Sequence, residues 1–174
     1  GPVGSLAQAR VDLDPTGRLV YLQTCDRSYR LDRGNGSLVV ASPSGRCSEV
    51  GTEYYPAPFG VQGLHSNGRH LVSASLTHVS VATIGSGGEL ASTGTPLAYG
   101  DPTNQPTALP PEHLRYHPSG RFLYMLAHRR ASSGDQISEI WVFGFDPTAG
   151  ALSVPASPLA TLSGSFSTFT LVEP

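Results

Sequence analysis

The feature that most constrains this chain is an internal repeat, and a repeat missed at the outset misassigns the whole fold. Residues 11–22 read VDLDPTGRLVYL, residues 61–72 read VQGLHSNGRHLV and residues 114–125 read LRYHPSGRFLYM. Each is an apolar-alternating strand, a turn closed by Gly-Arg, and a second apolar strand. The turn glycines Gly17, Gly68 and Gly120 stand 51 and 52 residues apart. A second landmark, Gly-x-Leu, recurs downstream at Gly36, Gly88 and Gly150. From Leu38 to Gly68 is 30 residues, and from Leu90 to Gly120 is again 30. Two independent landmarks that hold register define a unit rather than a coincidence.

Each unit reads as four short antiparallel strands, A to D. In the third, strand A is expected over about 112–117, B over 121–128, C over 138–146 and D over 151–156. The DPTAG segment at 146–150 supplies a C–D hairpin, with Pro fixing φ and Gly taking the left-handed position. The interval between the two landmark glycines is 19, 20 and then 30 residues, so the third unit carries an insertion of about ten. Its best place is 129–136, as a polar surface loop. Four-stranded units repeating every 45–55 residues are the pattern of propeller blades. The expected fold is therefore all-β, a partial β-propeller. Residues 1–174 form one such body, with blades at about 6–50, 59–100 and 108–160 and an extra strand at 165–171. That strand reads as the start of a fourth blade, because a fourth turn glycine would fall about eight residues past residue 174.

Composition agrees and excludes several functions. Gly 20 and Pro 15 in 174 residues disfavour long helices. A net charge of −2 without long charged runs calls for neither nucleic acid nor an anionic membrane. All 11 basic residues are Arg, which removes Schiff-base lysine chemistry and any Lys-dependent phosphate loop. No apolar run approaches the roughly 18 residues that span a bilayer, and no signal-peptide pattern opens the chain. Cys25 and Cys47 are read as free thiols or as one bridge. The compartment stays open, with a cytoplasmic setting slightly favoured.

Residues 111–126, PEHLRYHPSGRFLYML, resemble the lactonase-type seven-bladed propellers, the group of 6-phosphogluconolactonase-like proteins and fungal carboxy-muconate cyclases. Their usual wording is close to Pro-Arg-His-Leu-x-Phe-His-Pro-x-Gly-(Lys/Arg)-Phe-Leu-Tyr-Val. Residues 141–152, WVFGFDPTAGAL, look like the same family's strand C, turn and strand D. The likeness is good over about 110–155 and weaker before it. It implies a central channel of polar residues where a small anionic lactone is opened or closed. Carried across, His113 is the motif histidine. Glu112 stands where the motif usually has Arg, and Ala127-His128 stands where the family often shows Asn-Glu.

Lactone hydrolysis needs a base or activated water, and cations that steady the developing oxyanion. His113 and Arg115 lie two apart on strand A and so share a face. They read either as base and anion clamp or as polar groups that satisfy neighbouring blades. Glu112, a loop-end carboxylate or a base, completes the candidate catalytic set. His65 and His117 occupy equivalent A–B turn positions and read as turn caps. His113 and His117 are about 13 Å apart at roughly 3.3 Å per residue, too far to share one zinc. His65 and His70 lack an evident third ligand, so no metal site and no cofactor are expected. No Gly-x-Ser-x-Gly elbow occurs. Two functional readings stand: a lactonase-like hydrolase or cyclase, and a non-catalytic scaffold binding a ligand or protein through loops 99–110 and 129–136. Open blade faces and edges predict self-association or the missing remainder of a propeller.

Overall fold

The computed structural model describes residues 11–13, 17, 19–22, 27–31, 35–40, 61–99, 108–166 and 169–170. Cys25 and Cys47 lie outside them, as does most of loop 99–110. Among the described residues every regular element is a strand, and the strands form three antiparallel sheets taken in chain order. The first sheet is β1 (Val11–Leu13), β2 (Leu19–Leu22), β3 (Arg27–Leu31) and β4 (Leu38–Val40). The second is β5 (Val61–Leu64), β6 (His70–Ala74), β7 (His78–Ile84), β8 (Leu90–Ser92) and β9 (Leu97–Ala98). The third is β10 (Ala108–Tyr116), β11 (Phe122–Arg130), β12 (Gln136–Asp146), β13 (Ala151–Ser153) and β14 (Ala160–Ser163). Each is an up-and-down meander, the order of a propeller blade.

The repeat landmarks are the turns that make this possible. Gly68 and Gly120 take φ of 67° and 70°, and each donates its N–H to the carbonyl of the residue three before it, His65 and His117. Gly120 is needed for space as well, since a Cβ there would come 2.6 Å from His65 Nε2 of the preceding unit. At the C–D turn the Asp146 carboxylate accepts from the N–H groups of Thr148 (2.8 Å) and Ala149 (3.2 Å), which holds its pKa below the ordinary carboxylate value.

Three expectations are corrected. The ten-residue insertion is a polar loop only over residues 131–135, an exposed turn; its other residues lengthen β11 and β12 into one hairpin, paired through Arg130↔Gln136 and closed by Ala131 N–H to Asp135 O. Paired backbone satisfies its own polar groups, so extra length here costs less as ladder than as loop. Strand D is built in two pieces. β12 pairs β13 at one end and β14 at the other, as β7 pairs β8 and β9. The strand expected at 165–171 is not formed at residues 165–166 or 169–170, and its other residues lie outside those described. Among the described residues the last strand is β14, spent on the third sheet.

Alternation sorts the third sheet into two faces. Leu123, Met125 and Ala127 of β11, with Trp141, Phe143 and Phe145 of β12, are buried against Val61, Val72, Val79 and Val81 of the second sheet. Tyr99 closes this core. Its ring meets Trp141 at 5.5 Å and Phe143 at 6.1 Å, and its hydroxyl donates to Ser75 O at 2.6 Å. Unpaired, that buried hydroxyl would cost about 1–3 kcal/mol. The first strands β1, β5 and β10 lie beside one another, which makes them the innermost strands of the arrangement.

Candidate functional site

A cleft of about 560 Å³ opens where β5 meets β10. Gln62, Leu64 and Ser66 line it from the second unit, and His113, Arg115 and His117 from the third. The strands come close because β5 carries a glycine at the contact: a Cβ on Gly63 would reach Leu114 Cδ2 at 3.2 Å. His113 and Arg115 therefore share a face and a cleft. Arg115 is exposed and, among the described residues, has no ion-pair partner, so its charge is turned to solvent in the cleft. His113 is half-buried, its ring 6.0 Å from that of Phe169.

The two turn histidines are occupied as the sequence suggested. Asn67 N–H donates to His65 Nδ1 at 3.0 Å, which leaves the His65 proton on Nε2, aimed at Gly120 O 3.0 Å away. One imidazole thus caps its own turn and ties it to the next unit's. His117 accepts from Ser119 N–H at 3.1 Å in the same way. His70 is buried beside them, and Asn67, whose Oδ1 accepts from Arg69 N–H, presents its NH₂ to His70 Nδ1 at 3.2 Å. Desolvation, then the neighbouring His65 and Arg69, hold the His70 pKa below the ordinary value. Among the described residues no three His, Cys, Asp or Glu side chains are grouped to hold a metal ion.

Glu112 does not line the cleft but faces His128. Strand register shifts between Leu109 and His113, an irregularity that releases Glu112 from strict alternation. Glu112 Oε1 lies 3.7 Å from His128 Nε2, with the His128 side chain only 1% exposed and that of Glu112 42% exposed. Behind it, His128 Nδ1 is 3.0 Å from Ser138 Oγ, which is itself fully buried. Sequence reading placed His128 only as a departure from a motif and missed Ser138. Their one available signal was position: directly paired partners on β11 and β12. Tyr116 was missed too. Its phenol is buried beside the cleft with no hydrogen-bond partner among the described residues, and burial raises its pKa.

Three meander sheets with converging first strands define a partial, β-propeller-like chain. Among solved structures, the periplasmic gluconolactonase PpgL of Pseudomonas aeruginosa shares this fold, at a TM-score of 0.56 and 18% identity over 94% of this chain. The chain spans 42% of the length of that protein. A functionally unknown protein from Desulfotomaculum acetoxidans aligns over 84% of this chain and 54% of its own, with 15% identity and a TM-score of 0.42. No protein-family model and no curated protein matches the chain.

Proposed function

We propose that the cleft between β5 and β10 binds a small anionic lactone or sugar acid and that His113 acts there as the base for ring opening or closure. The reading is carried by one observation: His113 and Arg115 line the same cleft at the junction of two innermost strands. Arg115 offers an exposed guanidinium to a carboxylate, and His113, lining the same cleft, offers an imidazole to take a proton from water or a hydroxyl. Resemblance over residues 110–155 and the fold shared with a gluconolactonase favour a lactone as the substrate class. The test is turnover of aldonolactones of five- and six-membered rings. His113→Ala is expected to lower kcat by about 10²–10⁴-fold, the usual contribution of a general base. Arg115→Ala is expected to raise KM instead. Absence of turnover on every lactone, or turnover unchanged in His113→Ala, sinks the reading.

On the outer face of the third unit Phe122 is 45% exposed, beside half-buried Tyr124 and Val142. These three residues form an apolar strip on a face that otherwise carries His113, Arg115, His128 and Ser138, and the strip is read as the seat of a further blade supplied by a second copy of the chain. Light scattering of the 174-residue chain is expected to give an associated species, and a soluble monomer contradicts this.

A further inference from the structure

We propose that the chain closes head to tail on a second copy of itself, with His117 and Phe122 of one copy seated on the partner's Gly17 and the partner's Gly36. The proposal rests on the assembly reading above and gives that assembly its seam, atom by atom. The template is the seam already formed between the second and third units. There His65, its proton on Nε2, lies 3.0 Å from Gly120 O. A Cβ on Gly120 would come 2.6 Å from His65 Nε2, and one on Gly150 would come 2.7 Å from His70 Nε2. Two rings of one unit thus sit on two bare glycines of the next. Both glycines are left-handed, at φ of 70° and 64°, so the turn and the seat select the same residue.

One half of that seam recurs, unoccupied, on the third unit. Moved by the 52 residues that separate Gly68 from Gly120, His65 becomes His117 and His70 becomes Phe122. The geometry moves with the positions. The rings of His65 and His70 stand 6.3 Å apart at 84°, and those of His117 and Phe122 stand 6.1 Å apart at 87°. His117 Nδ1 accepts from Ser119 N–H at 3.1 Å, as His65 Nδ1 accepts from Asn67 N–H, so the proton of neutral His117 is also on Nε2. Among the described residues that proton has no acceptor, and Phe122 is 45% exposed.

The other half stands in the first unit. Its landmark glycines Gly17 and Gly36 take φ of 64° and 72°, and a Cβ on Gly36 would meet nothing within 4 Å. The ten extra residues of the third unit leave the match intact, because they lengthen the β11–β12 hairpin at the end away from both turns. A donor and a ring on one end unit, and a left-handed glycine pair on the other, make the chain complementary to itself. That self-complementarity is the reason to place a second copy there. Such a head-to-tail contact is finite only when it closes, and two copies that close on each other share two identical seams.

Sedimentation equilibrium of the full chain and its variants decides it. The wild type is expected to be a pair of chains. Phe122→Glu, a change at an exposed position, is expected to leave only monomer, whereas Phe122→His, which restores the ring pair of the second unit, is expected to stay paired. His117→Ala is expected to raise the dimer Kd about 2–10-fold for each seam, the net worth of one hydrogen bond. Gly36→Ala is expected to raise it about tenfold or more. Gly134→Ala, at a glycine likewise left-handed (φ 89°) and likewise open, is expected to leave it unchanged. A wild-type dimer whose Kd ignores both Phe122→Glu and Gly36→Ala overturns the seam and leaves the assembly reading standing. A wild-type monomer overturns both, and a mass that climbs beyond two chains overturns the closed pair.

Discussion

The two faces of the third sheet are made from the same strands and differ in everything else. Facing the second unit, Leu123, Met125, Trp141, Phe143 and Phe145 are buried and polar atoms are few. Facing away, Tyr124 and Val142 are half-buried, Phe122 is 45% exposed, and the same surface carries His113, Arg115, His128 and Ser138. Period-two alternation lets one strand put stability on one side and titratable chemistry on the other. Substitutions one residue apart should therefore report on different properties.

The largest effect belongs to the inner face. Phe143→Ala removes a fully buried ring and is expected to cost about 3–5 kcal/mol. Phe122→Ala, on the outer face, is expected to stay within about 0.5 kcal/mol in the isolated chain. Equal shifts of the two variants in a urea titration would break the distinction between the faces. Next comes the seam between units. Gly120→Ala forces a side chain into a left-handed position and against His65 Nε2, at an expected cost of about 1–3 kcal/mol. A melting temperature unchanged by Gly120→Ala would mean that the His65 tie to Gly120 O carries no stability.

The smallest effect is pH dependence at the same seam. His70 is held neutral in the fold, with a pKa below the 6.5 of a free imidazole. The unfolded chain therefore takes up the proton first, so this stability is complete above pH 6.5 and is lost as pH falls below it. A protonated His70 would also turn an N–H toward the Asn67 NH₂ that now donates to it. Denaturation at pH 8 and pH 5.5 should show the loss, and His70→Gln should flatten it. Equal slopes in the two proteins would assign the dependence to other groups.

Much of this was legible in the sequence because turns and alternation are local. Gly17, Gly68 and Gly120 mark A–B turns in which each takes positive φ, and the histidines at 65 and 117 cap as their shared position suggested. His113 and Arg115 share a cleft because residues two apart share a strand face. What was not legible is tertiary. The lengths of β11 and β12 follow from a hairpin that pairs with itself and with β14, whose residues, from Ala160 opposite Ile140 to Ser163 opposite Ile137, come from well downstream in the chain. Strand D splits because one long neighbour offers two stretches of edge. Glu112 turns to His128 because of a register irregularity, and Ser138 matters because residues 164–166 fold back onto it. No local pattern encodes such contacts.

The central claim is that His113, on the chemistry-bearing face of β10, drives lactone turnover in the cleft. Its most direct measurement is kcat for opening of an aldonolactone by wild type, His113→Ala and Phe122→Ala side by side, following proton release. Turnover in the wild type, lost by about 10²–10⁴-fold in His113→Ala and kept in Phe122→Ala, is the predicted result. Turnover in His113→Ala equal to that of the wild type, or no turnover in any of the three, would contradict the account.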